Sequence, residues 1–193
     1  NKYQKRLTEE NIDKIINDLT NIRPNTYQSQ AEVMWDHLVL PIPVKQKIGL
    51  VTQRGSVRLI DFAKIQNNQF HFSAEFSVER DRSTETCRPD IVLFVNGIPL
   101  AVIECKKPTS PKGNKNSVWE GVSQSIRNQK QGYIRHLYTY AQLLLSVNKN
   151  DARYATSGTP RKFWSCWREN EISDSEISRL IKRKLSNSAR EGI

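Results

Sequence analysis

A mixed α/β sandwich, one sheet covered by helices, is the fold class this sequence predicts. Two observations carry that expectation. Apolar residues recur at helical spacing near the N-terminus, alternate or run unbroken through the middle, and return to helical spacing after residue 117. Two apolar runs, Asp90 to Val95 and Ile98 to Cys105, also flank Asn96-Gly97, the strongest short-range hairpin signal.

Each element has its own signature. Thr8 caps a first helix running to about Asn21, with Ile12, Ile15, Ile16 and Leu19 at helical spacing and Pro24 beyond. Ser29 and Glu32 form a capping box for a second helix, whose stripe is Ala31, Met34, Trp35 and Leu38; Pro41 and Pro43 end it. Strands are expected at Val57 to Ile65 and Phe70 to Val78, about the turn Gln66-Asn67-Asn68. In the second of these, Phe70, Phe72, Ala74, Phe76 and Val78 alternate with polar residues, as in a half-buried strand. The unbroken runs on either side of Asn96-Gly97 predict strands covered on both faces. Pro108 to Asn116 reads as a loop. Ser117 and Glu120 then open a helix from Val118 to about Gln129. Ile134 to Ala141 reads as helical, and Gln142 to Val147 and Ala152 to Thr156 read as strands about the turn Asn148 to Asp151. One domain, residues 1–170, is expected, followed by a basic helical tail, 171–193, containing Arg179, Lys182, Arg183 and Lys184.

Composition narrows the class of partner. The 193 residues carry 30 Lys and Arg against 20 Asp and Glu, a net charge of +10. Such an excess favours a polyanion, nucleic acid before anionic membrane. No apolar run approaches a bilayer span; the longest, Ile91 to Ile103, is broken by Asn96, Gly97 and Pro99. No phosphate-loop motif is present, and three scattered cysteines (Cys87, Cys105, Cys166) predict reduced thiols in a cytoplasmic protein.

The chemistry concentrates in Arg88 to Lys107, RPDIVLFVNGIPLAVIECKK. Asp90 opens one apolar strand; Glu104 and Lys106 close the next. Charges at the ends of buried strands require a partner, because an unpaired ion in low dielectric is costly. A hard divalent cation such as Mg²⁺ satisfies both carboxylates and activates water for phosphate chemistry. Register decides whether they meet. A two-residue Asn96-Gly97 turn pairs Asp90 with Ile103 and turns Glu104 away. A three-residue loop pairs Asp90 with Val102 and puts both acids on one face. The metal site requires the second register or an equivalent bulge, and the second register is the one expected.

Arg-Pro-Asp90, a mostly apolar spacer, and Glu104-Cys105-Lys106 match the PD-(D/E)xK nuclease motif. Together with SVWEGVSQSIRNQ, HLYTYAQLLLSVN and ARYATSGTP, the text from about Val57 to Glu169 resembles the N-terminal part of the R (restriction) subunit of type I restriction-modification enzymes. The resemblance implies a restriction-endonuclease-like mixed sheet flanked by helices and a Mg²⁺-dependent endonuclease acting on duplex DNA. It implies methyltransferase and specificity subunits as partners, with ATP-driven translocation supplied by helicase-like domains outside these residues. It assigns metal binding to Asp90, Glu104 and the backbone carbonyl of Cys105, and catalysis to Asp90, Glu104, Lys106 and Gln124. Family members tend to carry Gln-x-x-x-Tyr on the following helix. Here the position four beyond Gln124 is Asn128, while a literal match, Gln129 to Tyr133, lies one turn later; Gln124 is favoured. Lys107, Arg127 and Lys130 are the expected phosphate contacts.

Plainer readings stand beside these. Asp90, Glu104 and Lys106 can be a surface ion pair. The whole chain can be a non-catalytic DNA-binding or docking module using its charge alone, or a junction-resolving or repair nuclease of the same fold. Glu32 can be an acid near the metal, though its capping box accounts for it. Trp119, Phe163, Trp164 and Trp167 read as core rather than base-stacking residues, the Cys105 side chain as a core filler, and His136 as structural. Arg161-Lys162 reads as a phosphate contact or a solvated loop.

Overall fold

The computed structural model describes residues 7–22, 27–108, 118–167, 173, 175–176 and 179, with backbone only at 27–29 and 48. Ser117, Pro24 and nearly all of the expected basic tail lie outside the described residues.

Helix α1 (Glu9–Thr20) begins where Thr8 predicts, and the Thr8 carbonyl accepts the Ile12 N–H at 3.1 Å. Its cap differs from expectation: the Thr8 hydroxyl accepts from the Asn11 side chain and caps no backbone donor. Helix α2 (Tyr27–Val39) begins two residues before Ser29, so Ser29 and Glu32 lie inside the helix rather than at the start where a capping box was expected. Met34 and Leu38 are buried with Ile60 and Val95, but Trp35 is 50% exposed.

Strands β1 (Ile42–Ile48) and β2 (Val51–Val57) form an antiparallel ribbon of their own. The sequence reading missed it. Its strands, IPVKQKI and VTQRGSV, carry no sustained apolar alternation, and β2 is largely exposed. The strand expected over Val57 to Ile65 is instead a loop. Asp61 organises it, its carboxylate accepting the N–H groups of Ala63 and Lys64 and the side chain of Asn67.

The main sheet has six strands. These are β3 (Phe70–Ala74), β6 (Ile91–Val95), β7 (Ile98–Cys105), β8 (Leu143–Val147), β9 (Ala152–Ala155) and β10 (Ser165–Cys166). Its order is β10-β9-β8-β7-β6-β3, and β4 (Val78–Glu79) with β5 (Thr86–Cys87) makes a small sheet apart. Only β7 and β8 are parallel; the others pair antiparallel. A parallel pair demands a crossover, and here it carries α3 (Val118–Asn128) and α4 (Arg135–Tyr140). Strand β3 stops at Ala74 because Glu75 takes a left-handed conformation (φ 50°). Phe70 and Phe72 are 61% and 69% exposed rather than half-buried, since β3 is an edge strand paired only with β6. Leu93 in β6 is 37% exposed, so the hairpin strands are not covered throughout on both faces.

The chain turns between β6 and β7 at Asn96 (φ 52°) and Gly97 (φ 82°), two left-handed residues that make the tight hairpin turn Asn-Gly favours. The expected three-residue loop does not form: Val95 pairs with Ile98. Further along, Phe94 pairs with Pro99 but Leu93 pairs with Ala101, leaving Leu100 as the extra residue of a bulge. The bulge shifts the register by one. Paired residues share a face of a sheet, so Val92, Val102, Leu144 and Ala155 form one row across four strands. All four belong to the core under α3 and α4, with Val122, Leu137, Tyr138 and Trp164. Two residues further along β7, the same face carries Glu104, Ser146, Arg153 and Cys166, paired strand to strand. The apolar face therefore turns polar in its last row.

Candidate active site

The polar row is assembled by the bulge. Ile91 pairs with Ile103, and one more step of that register sets Asp90 across from Glu104. Had the turn register persisted, Asp90 would face Ile103 and Glu104 would point to the other side. The carboxylate of Asp90 accepts the Cys105 N–H at 2.7 Å, which fixes it at the end of the hairpin.

Glu104 is fully buried. Its Oε2 lies 3.3 Å from the Lys106 ammonium, while its Oε1 is buried without any hydrogen-bond partner among the described residues. Burial raises its carboxyl pKa from 4.5 to about 7; the Lys106 charge opposes the rise and the Asp90 carboxylate adds to it. Lys106, two residues on and hence on the same face, also lies 3.6 Å from the Asp90 carboxylate and donates to Gln124 Oε1 at 3.0 Å. Asp90, Glu104 and Gln124 thus meet around Lys106.

Helix α3 delivers Gln124 because it lies unusually close to the sheet. A Cβ at Gly121 would fall 2.1 Å from Ser146 Oγ and 3.3 Å from Glu104 Cβ, so only glycine permits this approach. The Ser146 hydroxyl in turn donates to the Val118 carbonyl at 2.7 Å, pinning the start of the helix. The sequence reading overlooked both residues. Their signals were present: a glycine in an amphipathic helix, which carries a propensity cost, and a serine inside the apolar run LLLSV.

The literal Gln-x-x-x-Tyr match lies elsewhere. Gln129 accepts the Gly158 N–H at 2.7 Å and donates to the Ser125 carbonyl, and the Tyr133 ring lies under Arg80 and Arg127. Among the phosphate-contact candidates, Lys107 is exposed just beyond β7, Arg127 is exposed on α3, and Lys130 is exposed in the turn after it. Cys105 is exposed rather than a core filler, because its side chain leaves the face opposite Glu104 at the strand's end. The partial loss of water around the thiol, and then the charges of Asp90 and Glu104, push its pKa up. Trp164 is core and Trp119 packs against it, but Phe163 and Trp167 are 62% and 42% exposed near the β10 edge. Glu32 lines a cleft with Gln142 and Thr156 to Pro160; the Gln142 N–H bonds the Leu100 carbonyl, at the other end of β7 from Glu104. His136 is half-exposed against Asp81 at 3.3 Å.

The donor set suits a hard cation. Among the described residues no group of three or more His, Cys, Asp or Glu side chains gathers as a ready-made cage. Two carboxylates and a main-chain carbonyl are instead what Mg²⁺ accepts when it keeps water and takes substrate oxygens as its other ligands. The Glu104 Oε1, buried without a hydrogen-bond partner among the described residues, is compatible with such a ligand role.

Comparison with known proteins gives the family. Residues 2–163 match the family model "Type I restriction enzyme R protein N terminus". The MjaIXP type I restriction enzyme endonuclease subunit of Methanocaldococcus jannaschii is 30% identical over 159 residues, 82% of this chain and 14% of that protein. The MjaVIIIP endonuclease subunit of the same organism is 27% identical over 186 residues, 91% of this chain and 16% of that protein. The HindI endonuclease subunit of Haemophilus influenzae is 30% identical over 115 residues, 58% of this chain and 10% of that protein. The chain therefore spans about a seventh of the curated relatives that it matches along most of its length. With a mixed α/β sheet compatible with the restriction-endonuclease-like fold and a match across most of its residues, this chain belongs to the family of type I restriction enzyme R protein N-terminal regions.

Proposed function

We propose that this chain is the Mg²⁺-dependent endonuclease domain of a type I restriction R subunit, hydrolysing phosphodiester bonds of duplex DNA. The observation that carries the reading is the unpartnered, buried Glu104 Oε1 beside Asp90 and Lys106. Asp90, Glu104 and the Cys105 carbonyl are the residues that would hold the ion. When bound, Mg²⁺ supplies charge against the phosphate and lowers the pKa of a coordinated water.

The protein's own groups do the rest. Lys106, held between both carboxylates and Gln124, orients the attacking water or donates to the phosphate oxygen that gains charge. Gln124 fixes the ammonium; its other role is to keep Lys106 from collapsing wholly onto the acids. Lys107, Arg127 and Lys130 contact phosphates, so binding is salt-dependent and sequence choice is left to the specificity subunit. We assign residues 1–170 to this domain and 171–193 to the connection toward ATP-driven motor domains. Methyltransferase and specificity subunits are its proposed partners.

The test is cleavage by the assembled enzyme carrying Asp90→Ala, Glu104→Ala or Lys106→Ala. Each should abolish DNA cleavage while ATP hydrolysis and subunit assembly persist. Wild-type cleavage by any one of them removes that residue from the assignment.

A further inference from the structure

The outward stripe of α3 carries Trp119, Ser123 and Arg127, four residues apart and therefore on one side. Two arginines from other elements close onto it. Arg153 of β9 and Arg161 of the short turn Arg161–Phe163 both lie over the Trp119 ring, at 5.0 and 5.1 Å, and Arg161 donates to the Ser123 hydroxyl at 3.1 Å. At the other end Arg80 and Arg127 lie over the Tyr133 ring, at 4.5 and 5.7 Å. Four guanidinium groups are thus interleaved with two aromatic rings along one flank. Packing two like charges on a single ring is self-repulsive unless an anion joins them. Arg80 and Arg153 have carboxylates, Glu85 and Asp151. Among the described residues Arg127 and Arg161 have only neutral partners, the Asn128 and Ser123 side-chain oxygens, and both are exposed.

We propose that this flank is a track for one strand of the DNA backbone, its guanidinium forks binding successive phosphates. The idea rests on the nuclease reading and extends it to Arg161, which with Arg127 would meet phosphate, while Arg80 and Arg153, paired with Glu85 and Asp151, and the Trp119 and Tyr133 rings hold the two in place. A ring-stacked guanidinium is pre-ordered; Arg127 and Arg161 are exposed and open to a phosphate, whereas Arg80 and Arg153 are about three-quarters buried and already paired with Glu85 and Asp151. From Trp119 to Arg127 the helix rises about 12 Å, long enough to meet more than one phosphate of a strand. Gln124, on the same helix, turns toward Lys106, so the track runs beside the acids.

The test is salt-dependent binding of the 193-residue chain to a labelled duplex without divalent ions. Arg161→Gln should reduce the magnitude of the log K against log salt slope by about 0.9, and Arg153→Gln, whose charge Asp151 already offsets, by less. Arg161→Lys, which keeps the charge, should restore the slope but not the full affinity. Unchanged slopes, or no duplex binding by the wild-type chain, overturn the track. So does an Arg161→Gln chain that loses affinity for the other subunits with its slope intact, which would make the flank a protein dock. Asp90→Asn separates the two readings: it should lose Mn²⁺ binding and keep the wild-type slope. Retained Mn²⁺ binding would sink the nuclease reading and leave the track standing.

Discussion

The two ends of the sheet differ in shape and in chemistry. At the end where β8 begins lies a cleft of about 620 Å³, walled by Trp35, Phe163 and Gly158, with Glu32 as its acid. At the other end lie two carboxylates, a lysine and a glutamine around a buried oxygen without a partner. A search by concavity selects the first. A search by convergent charge selects the second. Duplex DNA is a broad, convex polyanion, so its hydrolysis calls for a rim with metal-binding acids more than for a deep pocket.

The largest test of this contrast is cleavage. Asp90→Ala, Glu104→Ala or Lys106→Ala should lower the rate in the assembled enzyme by about 10³-fold or more, ~4 kcal/mol of barrier. Glu32→Ala, in the cleft, should cleave as wild type. Equal losses at both ends would erase the distinction.

A second test uses Glu104 itself in the metal-free chain. Its pKa is raised from 4.5 to about 7 by folding, so the folded state binds that proton more tightly than the unfolded state. The stability it contributes is present in full below about pH 4.5 and is lost as pH rises through about 7. The difference is at most about 3 kcal/mol. Denaturant midpoints at pH 5 and pH 8 should differ in that direction for wild type, and the difference should shrink in Glu104→Gln. A wild-type midpoint that rises with pH across this window, with no change in Glu104→Gln, contradicts the burial argument.

Gly121→Ala should cost about 1–3 kcal/mol of stability by overpacking, measured as a lowered denaturant midpoint, and should cut cleavage further by lifting Gln124 from Lys106. The smallest contrast separates two glutamines. Gln124→Ala should reduce cleavage about tenfold, ~1.4 kcal/mol. Gln129→Ala should leave cleavage intact and lower stability by about 1 kcal/mol, because the Gly158 N–H loses its acceptor.

Much of this was legible in the sequence. Asn96-Gly97 marked the hairpin, the striped helices fell close to place though not on the side-chain caps expected of them, and β8 and β9 were bounded by the turn between them. The charges that the structure gathers, Asp90, Glu104 and Lys106, stood out at the ends of apolar runs, while Gln124 was named only through the family resemblance. What could not be read was how they come to share a face. The expected three-residue loop is replaced by a tight turn and a bulge at Leu100, and nothing in GIPLAV marks where a strand yields one residue. The β1–β2 ribbon was illegible because an exposed ribbon needs no apolar period. Phe70 and Phe72 misled for the converse reason: their alternation is real, but an edge strand left one of its faces open.

The central claim is that Asp90 and Glu104 hold one divalent ion between them. Titration of Mn²⁺ into the metal-free chain, followed by the electron spin resonance of the free ion, tests it directly. The wild-type chain should take up Mn²⁺ in competition with Mg²⁺, and both Asp90→Asn and Glu104→Gln should abolish that uptake while Glu32→Gln leaves it unchanged. Uptake that survives in either the Asp90 or the Glu104 variant would contradict the account.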